Sequence, residues 1–162
     1  MHSDDDKSPQ ADIEFIPPTD MVSRCCYAVP GVTLDPATDF PFERDRRKIR
    51  CESVIWRKYA PRIEDVATRG LKVLHEMNIR RASKNPPETL KEYVGARTGI
   101  VGDIRSIQSQ RGFCIAVEHL PDNGDLAHAH MTINKIDPAG RNLEPTDKTE
   151  LVDALLDVMP LE

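Results

Sequence analysis

Aromatic side chains are scarce in this chain: 5% of 162 residues, with a single tryptophan. Proline, at 13 residues, is plentiful, so part of the length is expected as loop. No apolar run approaches the roughly twenty residues that span a bilayer. No basic-then-apolar leader opens the sequence either. A membrane protein is therefore not expected, and the cytoplasm is the expected compartment. The four cysteines (Cys25, Cys26, Cys51, Cys114) show no CxxC spacing, which points to reduced thiols rather than a disulfide frame or a zinc knuckle. Positive charge is also short overall, with a formal net charge of −5. The deficit is uneven. Residues 41–112 carry 17 basic and 9 acidic side chains, a local +8 between flanks of −6 and −7. Such an island allows a basic DNA-facing surface on an acidic protein, while ordinary solvated helix faces explain it equally well.

The length suits one domain that buries about two-thirds of its unfolded surface. Residues 1–20 are acidic and proline-marked, and are expected as a disordered tail before a single α+β domain over 21–162. Residues 21–42 read as loop or short strand, and Glu43–Tyr59 as helix or strand. Pro61 suits a helix start, with Ile63, Val66, Ala67, Leu71 and Leu74 as its buried stripe. Asn85 before Pro86-Pro87 resembles a second helix start, with Leu90, Tyr93 and Val94 facing inward until Gly95. Ile100, Val101, Ile104 and Ile107 suggest a third helix. Asp147 with Glu150 resembles a capping box ahead of a last helix whose stripe is Leu151, Val152, Leu155, Leu156 and Met159. The expected fold is a small antiparallel sheet with a central histidine-bearing hairpin, packed against several helices.

That hairpin is the most informative stretch, FCIAVEHLPDNGDLAHAHMTINK from Phe113. Asn123-Gly124 is the strongest short turn signal, because a two-residue type I′ turn needs positive φ at both positions. Folding there pairs position i with 247 − i. His119 would then face His128 and Val117 would face His130. Side chains alternate along strands, so His119, His128 and His130 would share one face, about 4.5–5.5 Å apart across strands. The other face would be Cys114, Ala116, Glu118 and Leu120 against Ala127, Ala129, Met131 and Ile133, which is nearly all apolar and suits the core. Three imidazoles on one face leave open coordination positions, as a catalytic ion needs. Nitrogen ligands suit Mn²⁺ or Zn²⁺ better than Mg²⁺.

The same residues carry a resemblance. His119, Asp122, His128, His130, Asn134, Asp137, Pro138 and Gly140 form a pattern similar to the metal-binding motif of the HUH endonucleases. It is most similar to that of the relaxases, mobilisation nucleases that nick plasmid DNA for conjugation. The likeness covers about thirty residues, and it departs from the family at His119-Leu-Pro-Asp122, where Asp-Thr usually follows the first histidine. It implies that His119, His128 and His130 hold a divalent metal ion, Mn²⁺ or Mg²⁺ by resemblance and Zn²⁺ by chemistry. It also implies single-stranded DNA as substrate and a tyrosine nucleophile. Tyr27 has the family's N-terminal position; Tyr59 has the basic neighbours Arg57 and Lys58; Tyr93 suits a core stripe. The other reading is a non-catalytic relaxase-like or accessory module that binds DNA or a protein partner. A three-histidine cupin-type site fits less well, because no glutamate follows His-x-His.

Overall fold

Among the described residues, alternating small, β-branched and aromatic side chains build five antiparallel strands. The computed structural model describes residues 12–44, 49–122, 124–135 and 142–162. The strands are β1 (Met21–Ala28), β2 (Cys51–Trp56), β3 (Glu92–Ile100), β4 (Phe113–His119) and β5 (His128–Lys135), in spatial order β3-β1-β2-β5-β4. The helices are α1 (Ile63–Ala82), α2 (Val101–Arg105) and α3 (Pro145–Val158). The α+β class and the antiparallel sheet agree with the sequence reading. Among the described residues no helix is long and apolar enough to cross a membrane.

One sheet face carries the core. Val22, Val54, Trp56, Ile115, Val117, Ala129 and Met131 meet Leu151, Val152, Leu155 and Met159 around α3, with Val101 and Ile104 from α2. Glu144 opens α3, its amide donating 2.9 Å to the Asp147 carboxylate. Asp147 is thus the third residue of the helix and not its cap, and the helix begins about one turn earlier than expected. On the opposite face α1 packs on β1 and β3. Over β2, β5 and β4 on that face, Ser53, Glu118 and Asn134 stay exposed.

Three expectations need correction. Residues 12–20 are not a tail: Ile16 is 1% exposed in the core, and its carbonyl accepts from Arg105 Nη1 at 2.7 Å. Residues 1–11 lie outside the described residues. The helix expected from Asn85 is instead strand β3, whose Glu92–Ile100 pair with β1 along nearly its whole length. Its glycines explain this better than its apolar spacing does. Gly95 sits at φ +122°, and a Cβ at Gly99 would lie 2.8 Å from the Val158 carbonyl oxygen and 2.6 Å from Met159 Cγ. Both are sites of close backbone approach, not helix positions. Finally, the stripe expected of α1 is fully buried only at Val66 and half-buried at Ala67 and Leu74. Leu71 is 52% exposed, and only Val66 and Gly70 are buried in the helix.

Candidate functional site

The hairpin forms, but its register differs by one residue. Asp122 bridges Asp125, as a two-residue turn at 123–124 requires, and Gly124 has φ +78°. Asn123 itself lies outside the described residues. Further from the turn, however, His119 pairs with Ala129, Glu118 with His130 and Val117 with Met131, so partners sum to 248. One extra residue has entered the second strand between Asp125 and His128, a β-bulge. Its cause is local and tertiary together. The Asp125 carboxylate accepts from the Ala127 amide at 3.1 Å, and it is held from outside by Arg69 Nη2 at 3.0 Å. Burial alone would raise the Asp125 pKa, but those hydrogen bonds carry it below the usual carboxylate range.

A one-residue shift exchanges the faces of every side chain on a strand. His119 therefore points into the core, 2% exposed, with its ring centroid 5.0 Å from Trp56 and 6.1 Å from Tyr59. Both ring nitrogens are committed. Nδ1 accepts from the Glu14 amide at 2.9 Å, and Nε2 consequently carries the proton and donates to the Leu126 carbonyl at 2.9 Å. The bulge frees that carbonyl from the strand ladder, and His119 answers it. His119 thus lies across the sheet from His128 and His130, and the expected three-imidazole pocket is not assembled. The donor set does not fit the metal ion that the resemblance implies. Among the described residues no three His, Cys, Asp or Glu side chains are placed to hold a metal.

The tyrosines are equally separated. Tyr27 lies beneath α1 and donates to the Gly70 carbonyl at 2.9 Å; burial pushes its pKa upward, away from what a nucleophile needs. Tyr59 stands on the core side and hydrogen-bonds the Glu14 carboxylate, which raises its pKa. Tyr93 packs edge-on against Tyr27 at 6.0 Å, and burial raises its pKa to about 12. Asn134 is exposed at the end of β5. Asp137, Pro138 and Gly140 of the motif lie outside the described residues.

The shift brings other groups together in exchange. Glu118, expected in the core, is exposed opposite His130, with its Oε2 3.4 Å from His130 Nε2. Ser53 on β2 is directly opposite His130 on the other side, so Ser53, His130 and Glu118 form one row across three strands. His128, one step along β5, places Nε2 3.3 Å from Ser53 Oγ. Its Nδ1 lies 2.6 Å from the Leu120 carbonyl, an acceptor only, so Nδ1 holds the proton and the Nε2 lone pair faces the serine. Ser53 and Glu118 were invisible to the sequence reading because one depends on an unassigned strand and the other on the bulge.

Part of the basic island is paired within the fold. Arg57, Lys58, Arg62, Arg69, Arg81, Lys84, Arg97 and Arg111 each pair with a carboxylate. Arg46, Arg47 and Lys48 lie outside the described residues.

Compared with family models, with curated proteins and with solved structures, the chain matches none. The likeness to relaxases therefore rests on the motif alone.

Proposed function

We propose that the chain is a binding module for a protein partner, taken on the side of the sheet where α1 stands beside strands β2, β5 and β4, whose Ser53, Glu118 and Asn134 are exposed. One observation carries this reading. A helix of 20 residues buries only Val66 and Gly70, while Leu71, Val73 and Ile79 stay 52%, 46% and 57% exposed. At about 100° per residue Leu71 and Ile79 share one side of the helix while Val73 stands on another, and apolar side chains left in water together on one side mark an interaction surface. Against nucleic acid, most described cations of the basic island already have carboxylate partners. The nicking reading loses its support with the metal pocket, since His119 is withdrawn from it.

The test uses a photo-crosslinking amino acid at Leu71, introduced into the full chain in its native cell. A discrete protein adduct is expected, lost when Ile79→Glu is added and retained when Ile13→Glu is added at an exposed site outside α1. In parallel, single-stranded oligonucleotides with Mn²⁺ should give no covalent adduct. A tyrosine-linked DNA adduct, or crosslinking indifferent to Ile79→Glu, would overturn the proposal.

A further inference from the structure

The pairing of Ser53 with His128 has a chemical meaning that goes beyond partner binding and does not depend on it. Both residues line a cavity of about 150 Å³ between α1 and the sheet, together with Ile55, Gly70, Val73 and Arg69. Ser53 is exposed on the strand, and its backbone is held by Arg24 Nη1, which donates to the Ser53 carbonyl at 3.0 Å. The imidazole is oriented at its far nitrogen by the Leu120 carbonyl, 2.6 Å away, and it meets the hydroxyl with its near one at 3.3 Å. This satisfies the geometry of an activated nucleophile: a hydroxyl, a base within reach, and a third group that fixes the base in the competent tautomer. A backbone carbonyl serves where other serine sites use a carboxylate. Arg69 stands at the wall of the cavity, with Nη2 occupied by Asp125.

We infer that Ser53 and His128 form an acyl-transfer site for a small ester, with a short acyl group seated in the cavity. Ser53 Oγ bonds to the ester carbonyl carbon as its proton passes to His128 Nε2. The tetrahedral adduct collapses, the carbon–oxygen bond to the alcohol breaks, and His128 returns the proton to the departing alkoxide. Water then attacks the acyl carbon as His128 takes its proton; the bond from that carbon to Ser53 Oγ breaks, and His128 returns the proton to Oγ, which releases a carboxylic acid and restores the hydroxyl.

The experiment treats the full chain with a small fluorophosphonate and, separately, with p-nitrophenyl acetate. Covalent labelling is expected at Ser53, located by peptide mass spectrometry, and absent in Ser53→Ala. His128→Ala should slow both labelling and ester turnover by on the order of 10²-fold, the usual contribution of a general base. Circular dichroism of both variants separates loss of chemistry from loss of fold. Labelling no faster than in denatured protein, labelling at another residue, or a rate unchanged in folded His128→Ala would each overturn the assignment.

Discussion

Replacing His119 with alanine is expected to destabilise the protein by about 2–4 kcal/mol, whereas His128→Ala should cost less than about 1 kcal/mol. The contrast follows from placement alone. His119 is 2% exposed and bridges two backbone groups from distant parts of the chain, the Glu14 amide and the Leu126 carbonyl. Truncation leaves both without a partner and opens a void beside Trp56 and Tyr59. His128 is half-buried, and solvent can satisfy the Leu120 carbonyl it leaves behind. For a domain of this size the loss in His119→Ala corresponds to a fall in Tm of roughly 5–15 °C. Thermal unfolding of the two variants decides the point. If both histidines cost equally little, or if added Mn²⁺ or Zn²⁺ stabilises wild type but neither variant, His119 belongs with the other imidazoles after all.

Gly70→Ala is the second large effect, and its sign runs against helix propensity. Alanine in a helix interior is ordinarily better than glycine by about 1 kcal/mol. Here a Cβ would meet Tyr93 Cε2 at 2.7 Å and Cys25 Sγ at 2.9 Å. Tyr93 is wedged against Tyr27, whose hydroxyl is bound to the Gly70 carbonyl, so the ring has little room to yield. Lifting α1 from the sheet is expected to cost about 1–3 kcal/mol net, as overpacking does. Chemical denaturation measures it. A variant as stable as wild type or more so would mean that α1 does not sit this closely on β1 and β3.

How far the sequence foretold the structure depends on how far away the deciding partner lies. The last helix was legible because Leu151, Val152, Leu155 and Met159 recur at helical spacing and Pro160 ends the run. The turn was legible for a similar reason, since Asn123-Gly124 is a local signal. The bulge that follows was not. It depends on Arg69, 56 residues earlier, holding the Asp125 carboxylate against the Ala127 amide. One inserted residue then moved His119 to the core and Glu118 to the surface. Strand β3 failed for the same kind of reason. Pro86-Pro87 and apolar spacing suggested a helix, while Gly95 and Gly99 owed their identity to the approach of Glu162 and Val158, far along the chain. In α1 the periodicity was read correctly, and the inference from periodicity to burial was what failed. Ile63, Leu71 and Ile79 remain in water, and that exposure supports the proposed partner surface.

The register of β4 against β5 decides where each histidine goes, and it can be observed directly. In antiparallel pairs that do not exchange hydrogen bonds the Cα atoms lie about 4.5 Å apart, which gives strong cross-strand Hα–Hα contacts in a nuclear Overhauser spectrum. Leu120 donates to the His128 carbonyl, so the neighbouring His119–Ala129 and Val117–Met131 pairs are of this close kind. Strong Hα–Hα cross-peaks are expected between His119 and Ala129 and between Val117 and Met131. Cross-peaks joining His119 to His128 and Val117 to His130 instead would return all three imidazoles to one face and contradict the arrangement described above.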